Sequence, residues 1–220
     1  MAANISIKRL VFIGPQGSGK GTQAEVLAKE YQLPVISTGD IFRKNISEKT
    51  DLGKQAEAII ESGKLVPDDI TNSMVADRLR QPDAAEGFIL DGYPRNLNQA
   101  EYLENNLPPE IVVEIKLNDE EAIKRISSRL VCPTCGKTYN MLVKQPKQKD
   151  SCDKCQGKLE RRDDDQPEAV KERLKIYRQD TAPILDYYKA NNKLVSIDGQ
   201  PPIAEVTTLM KKAISDWTAN

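Results

Sequence analysis

Four glycines set between an apolar strand and an amphipathic helix constrain this chain more than any other feature. Gly14-Pro15-Gln16-Gly17-Ser18-Gly19-Lys20-Gly21-Thr22 follows the apolar segment Lys8 to Ile13 and opens the stretch Lys20 to Tyr31. In that stretch Ala24, Leu27, Ala28 and Tyr31 recur at helical spacing. Glycine lets the backbone take positive φ and bring its N–H groups close to phosphate oxygens. The helix that follows adds its positive N-terminal end, and Lys20 reaches the terminal phosphates as a point charge. A glycine-rich turn without function is the alternative. The strand–loop–helix context favours a phosphate cradle. Gly17, Ser18, Gly19, Lys20, Gly21 and Thr22 are therefore candidate triphosphate contacts.

Beyond the loop, short apolar strands alternate with helical patterns, which argues for a parallel sheet covered on both faces. Strands are expected at Val35 to Ser37, Phe88 to Leu90, Ile111 to Leu117 and Leu194 to Ile197. Helices are expected from near Asp40, at Asp51 to Ser62, Asp68 to Leu79 and Asn96 to Asn105. A further helix, capped by Asp119, runs to about Arg129, and the last spans Ile203 to Trp217. A long helix from Glu168 carries Val170, Leu174, Tyr177, Ile184 and Tyr188 on one side, with Pro183 as a kink. Between Leu130 and Arg162 the periodicity fails and all four cysteines appear, so this stretch reads as an inserted subdomain.

Two further segments sit where ligands collect, at the carboxyl ends of strands. In Ser37-Thr38-Gly39-Asp40-Ile41-Phe42-Arg43, Thr38 can bond a base or cap the helix, and Arg43 can grip a phosphate. In Gly87-Phe88-Ile89-Leu90-Asp91-Gly92-Tyr93-Pro94-Arg95, Asp91 ends a strand, Arg95 follows it and Gln99 lies one helical turn on. Gly63-Lys64-Leu65-Val66-Pro67-Asp68 joins two helices through extended backbone that can line a base pocket.

The general phosphate-loop pattern has Ser or Thr directly after the lysine, whereas here Gly21 stands there and Thr22 follows. This Gly-Lys-Gly-Thr form resembles the nucleoside monophosphate kinases. With Ser-Thr-Gly-Asp, Gly-Lys-Leu-Val-Pro and Asp-Gly-Tyr-Pro-Arg, the chain closely resembles the adenylate kinase family from Leu10 to about Leu209. Tyr93 stands where many members have Phe. The resemblance implies an α/β fold: a P-loop three-layer αβα sandwich on a five-stranded parallel sheet. It also implies a helical monophosphate-binding insert at 37–66 and a lid at 130–162, with the core formed by 1–36, 67–129 and 163–220. By position, Thr38, Arg43, Lys64, Leu65, Val66, Gly92, Tyr93, Pro94, Arg95 and Gln99 would hold AMP, assisted by Arg162 and Arg173. Arg129, Thr138, Tyr139 and backbone near Pro201 would hold ATP, and Asp91 would organise Mg²⁺ through its water shell. Lys20, Arg95, Arg129, Arg162 and Arg173 would carry catalysis. An AMP phosphate oxygen is already anionic, so no base is required, and alignment with charge neutralisation suffices.

Cys132-Pro133-Thr134-Cys135 and Cys152-Asp153-Lys154-Cys155 form two C-x2-C knuckles separated by sixteen residues. Four thiolates close a tetrahedron and leave no position for water, so a structural metal is expected. Zn²⁺ fits best, with iron the alternative; disulfides are disfavoured in the expected cytoplasmic setting. About thirty mostly polar residues cannot hold a shape unaided. The insert resembles the zinc-bearing lid of one bacterial branch of adenylate kinases.

Composition removes rivals. Histidine is absent, which rules out Ser-His and Cys-His nucleophiles and His-ligated metals. Lys plus Arg total 32 against 33 Asp plus Glu, so no global field holds nucleic acid. No apolar run suits a membrane span or a signal peptide. A monomer with ATP, AMP and ADP as its partners is expected, without nucleic acid or membrane. Two alternatives stay open: a kinase for UMP, CMP or GMP, and a zinc-ribbon nucleic-acid-binding protein with a degenerate loop. Arg125 either supports phosphates or pairs on its own helix face.

Overall fold

The computed structural model describes residues 7–61 and 65–218. Lys64, one of the expected AMP contacts, and Gly63 before it lie outside the described residues. Five strands form one parallel sheet: β1 (Arg9–Ile13), β2 (Val35–Ser37), β3 (Phe88–Asp91), β4 (Ile111–Lys116) and the last, which follows the insertion. In the sheet the strands run in the order β2, β3, β1, β4 and then that last strand, Leu194–Asp198. The chain winds from β1 toward one edge and then crosses to the other, so the order reverses beside β1. Such a reversal opens a crevice at the carboxyl ends of the strands.

The near-continuous apolar strands follow from burial on both faces. Leu10 and Phe12 of β1 point to one side, with Val113 and Ile115 of β4; Val11 and Ile13 point to the other, with Val112. The first side is covered by α1 (Lys20–Tyr31) and the C-terminal helix Ile203–Thr218, through Ala24, Leu27, Val206, Met210 and Ile214. The second is covered by α4 (Asp68–Leu79), α5 (Leu97–Asn106) and a helix at Pro183–Ala190, through Val75, Leu103, Ile184 and Tyr188. Each fully buried Leu, Ile or Phe in these layers stabilises by about 1.5–3 kcal/mol.

Two segments project from this core at its carboxyl end. Helices α2 (Thr38–Ser47) and α3 (Asp51–Glu61) bury Phe42 and Ala56 against Val66. Beyond α6 (Asp119–Ser127), strands β5 (Arg129–Val131) and β6 (Thr138–Asn140) form a separate antiparallel ribbon. Its small core joins Cys132, Tyr139, Cys152 and Leu159. The chain returns through α7 (Pro167–Ile176), a π-helical turn at Tyr177–Thr181 and α8 (Pro183–Ala190), then β7 (Leu194–Asp198) and α9 (Ile203–Thr218). Among the described residues, no helix is long and apolar enough to cross a membrane.

Three expected boundaries shift. The helix expected near Asp40 begins at Thr38, because the Ser37 hydroxyl accepts from the Asp40 N–H and caps it. Asn118, not Asp119, caps α6 by accepting from the Glu121 N–H at 2.9 Å. That helix stops at Ser127, so Arg129 opens a strand and does not end a helix.

Candidate active site

The loops at the carboxyl ends of β1, β2, β3 and β7 surround one cleft of about 460 Å³, closed on its far side by the β5–β6 ribbon and α7. At its floor, Gly19 takes the left-handed conformation at φ 95° and starts α1. Gly17, at φ 80°, passes so near α6 that a Cβ there would lie 3.0 Å from the Ala122 carbonyl oxygen. The first turn of α1 carries no acidic residue of its own, so no side chain of that turn competes with an anion for its free N–H groups. Lys20 folds back, its Nζ donating to the carbonyls of Gly14 at 2.7 Å and Pro15 at 2.9 Å. Burial, reinforced by Arg95, Arg173 and Arg129, pulls the Lys20 ammonium down to about 8 in spite of Asp91.

Gly21 has a steric reason. A Cβ at that position would meet the Asp91 Oδ2 at 3.2 Å. Burial pushes the Asp91 carboxyl above the usual carboxylate range, opposed by Lys20 and Arg95. A buried carboxylate beside a phosphate cradle, with Thr22 lining the same cleft, suits a hydrated divalent cation.

The β2 and β3 loops build the opposite wall. Thr38 Oγ1 and Arg95 Nε both donate to the Gly92 carbonyl, each at 2.8 Å. Gln99 is 1% exposed; its Oε1 accepts from the Arg95 backbone N–H at 2.8 Å and its Nε2 donates to Asp68 at 2.7 Å. Its amide thus braces Arg95, a role its spacing alone does not show. Tyr93 is fully buried in the core, with its hydroxyl donating to Asn72, and it does not line the cleft as Gly92, Pro94 and Arg95 do. The sequence expected a cleft contact there; past the end of β3, the backbone turns at Gly92, φ 79°, and the Tyr93 ring packs into the second core cluster instead. Arg43 reaches the cleft and pairs with Asp40 one turn earlier on α2. Leu65 and Val66 line the same wall.

Arg129, Arg162 and Arg173 meet across the chain at an acidic turn. Arg129 pairs with Asp165, Arg162 donates to both Asp164 carboxylate oxygens at 2.9 and 2.8 Å, and Arg173 lies 3.2 Å from Asp164. Burial and the neighbouring arginines hold Arg173 down to about 10, although Asp164 opposes this. Arg162 is lowered for the same reasons. Asp164 is penalised by burial, yet Arg162, Arg173 and Arg129 bring its carboxyl down to about 2. Cations crowded this closely make a site for a polyanion.

In the ribbon, the four cysteine Sγ atoms lie within 4.8 Å of one another. Cys132 and Cys155 approach at 3.4 Å and Cys135 and Cys152 at 3.5 Å, far beyond a disulfide bond. A tetrahedral zinc with Zn–S near 2.3 Å spaces its sulfurs by about 3.8 Å, so the cluster fits a zinc ion. The Tyr139 hydroxyl lies 3.5 Å from Cys152 Sγ and accepts from the Asp153 N–H at 2.7 Å. Burial raises the Cys152 thiol, but Tyr139 and the amides of Lys154 and Cys155 outweigh it and bring the group to about 6. Thr138 and Tyr139 also line the cleft; the tyrosine ring therefore stands between metal site and cleft.

Known proteins match this chain along most of their length. A family model described as Adenylate kinase matches residues 12–193. An adenylate kinase of Petrotoga mobilis is 50% identical over 204 residues, 90% of this chain and 94% of its own. One of Thermoanaerobacter sp. strain X514 is 46% identical over 213 residues, 94% and 98% of the two chains. One of Salinispora tropica is 46% identical over 215 residues, 96% and 99% of the two. The chain belongs to the adenylate kinase family. It is an enzyme of the nucleoside monophosphate kinase type.

For an adenylate kinase family member, the cleft brings together every described candidate except Tyr93 and the four cysteines. The sequence reading missed three contributors. Asp164 and Asp165 neutralise the arginines; the acidic triplet Asp163-Asp164-Asp165 just after Arg162 was the available signal. Thr181 lines the cleft from the π turn and has no sequence signature. Arg125 takes the helix-face option and adds two backbone contacts. It pairs with Glu121 at 2.8 Å, while Nη1 and Nη2 donate to the carbonyls of Gly199 at 2.8 Å and Gln200 at 3.0 Å. Those bonds hold the segment leading to Pro201, which lines the cleft.

Proposed function

We propose that this enzyme catalyses reversible, Mg²⁺-dependent phosphoryl transfer, ATP + AMP ⇌ 2 ADP, and so keeps the adenine nucleotides in balance. The convergence of Lys20, Arg95, Arg129, Arg162 and Arg173 on one cleft, between the glycine loop and the β2–β3 wall, carries this reading. A phosphate oxygen of AMP attacks the γ-phosphorus of ATP. The bond from that phosphorus to the β–γ bridging oxygen breaks, and ADP leaves from each side. The nucleophile is anionic, so the enzyme's task is to align two polyphosphates and neutralise charge on the transferring group.

Gly17 to Thr22 hold the ATP phosphates through backbone N–H groups, and Lys20 follows the transferring phosphoryl. Arg43 and Arg95 grip the AMP phosphate, while Thr38, Leu65, Val66, Gly92, Pro94 and Gln99 shape its pocket. Arg129, Arg162 and Arg173 exchange their aspartate partners for phosphate oxygens as the cleft closes. Thr138, Tyr139 and the backbone at Pro201 flank the ATP base and ribose. Mg²⁺, held through water by Asp91, would supply charge neutralisation at the β- and γ-phosphates. Residues 37–66 and 130–162 act as closing units that exclude water and prevent hydrolysis. Cys132, Cys135, Cys152 and Cys155 would hold Zn²⁺, which would supply the rigidity that the polar lid cannot build by itself.

The decisive assay offers ATP with each of AMP, UMP, CMP and GMP and measures the diphosphates formed. AMP should be preferred by at least tenfold. Faster turnover of another monophosphate would change the base assignment. Absence of turnover together with salt-sensitive RNA binding would overturn the enzyme's assigned reaction.

A further inference from the structure

The helix after the lid breaks its regular winding at one place. The Ala182 N–H donates to the Tyr177 carbonyl five residues back, at 2.7 Å, so Tyr177–Thr181 winds as a single π turn. Pro183 explains it. In a regular helix its missing N–H would leave the carbonyl at position 179 without a donor, and its ring would press on that carbonyl. Widening the turn carries that carbonyl clear of the ring, and such bulges gather at functional sites.

The consequence is angular. Arg173 and Thr181 are eight residues apart, and at about 100° per residue a regular helix would set them about 80° apart. One inserted residue takes back about 100°, which returns Thr181 to nearly the same face as Arg173. The outcome is visible: both residues line the cleft, and Thr181 Oγ1 donates to the Arg95 carbonyl at 2.7 Å. Thr181 is 7% exposed, so water does not compete freely for that carbonyl. Arg95 is then fixed at three points: its N–H by Gln99, its Nε by Gly92 and its carbonyl by Thr181.

We propose that Thr181 is a positioning residue that sets Arg95 for the AMP phosphate, and that the π turn exists to place it there. One helix thereby carries Arg173 and also fixes Arg95, so the spacing of two phosphate-binding arginines is tied to one rigid element. This inference rests on the assignment of Arg95 to AMP.

The test measures initial rates with both substrates varied for wild type, Thr181→Val and Thr181→Ser, with thermal melting of each. Valine keeps the shape and removes the donor; serine keeps the donor. For Thr181→Val, the KM for AMP should rise and kcat fall, each about tenfold, with the KM for ATP within twofold. Thr181→Ser should return AMP parameters to within threefold of wild type. Unchanged AMP parameters in Thr181→Val would overturn the proposal, as would failure of serine to rescue. An equal rise in both KM values would also overturn it, since it would mean general distortion of the helix. A wild-type enzyme that ignores AMP would instead bring down the assignment on which the inference rests.

Discussion

The Arg129 guanidinium donates through Nε to Asp165 Oδ2 at 2.7 Å and through Nη2 to its other oxygen, a two-point pair in which the carboxylate is 3% exposed. A carboxylate in this position occupies the donors that phosphate would otherwise engage. Breaking a buried pair by removing one partner costs about 3–5 kcal/mol. Asp165→Ala should therefore lower apo-enzyme stability by a few kcal/mol. A bisubstrate nucleotide should recover most of that loss by supplying anions of its own. Denaturant melts with and without the ligand check this; a deficit that persists unchanged would contradict it.

Arg129→Lys and Arg162→Lys should each lower kcat by about 100-fold or more, because lysine cannot reproduce a planar two-point grip on a phosphoryl group. Melting temperatures should move by only a few degrees, since a cation still faces Asp164 or Asp165. Steady-state kinetics beside calorimetry separates the two effects. Near-normal turnover in either variant would remove that arginine from the catalytic set.

Lys20 sets a pH dependence whose sign can be worked out. Its folded-state value, about 8, lies below the ordinary lysine value of 10.5. Between those values the unfolded chain binds more protons, so the apo enzyme gains stability as pH rises from about 8 toward 10.5. Lys20→Met should abolish that gain. Phosphate binding runs the other way, because it needs the protonated amine. ATP affinity should weaken above pH 8, by up to about tenfold per unit. Calorimetric titration from pH 7 to 10 reads both trends.

Metal removal should act on the lid first. A strong chelator should melt the ribbon while the β1–β4 core persists, and turnover should fall with it. Tyr139→Phe keeps the ring but removes the hydroxyl beside Cys152, and should weaken zinc binding by about 10–100-fold. Zinc release to a chromogenic chelator measures this. Chelation that changes neither stability nor activity would show that the clip is not structural.

Arg125→Ala should release the Gly199–Gln200 segment. The KM for ATP should rise several-fold while that for AMP holds, and stability should fall by about 1–3 kcal/mol for two lost carbonyl bonds. An equal effect on both substrates would place Arg125 in the general scaffold.

Local patterns made much of this legible. The glycine loop, the apolar strands and the paired cysteines each depend on residues close in the chain, where φ preference, period and ligand spacing are written directly. Gln99, Tyr93 and Thr181 were not legible in the same way. Gln99 turned out to brace Arg95, Tyr93 points into the core, and Thr181 reaches the cleft only because a proline-driven turn rotates it. Each depends on which face a side chain takes relative to elements distant in sequence.

The sequence by itself determined the glycine loop, the alternating strand–helix order, the paired cysteine knuckles and the absence of any histidine chemistry. It did so because those properties are set by residue type at short spacing. Only the tertiary structure decided which carboxylates pair with the arginines, that Gly21 lies against Asp91, and that the Arg125 guanidinium pins the Gly199–Gln200 backbone. These are distances across the sheet and the lid, and no local spacing encodes them.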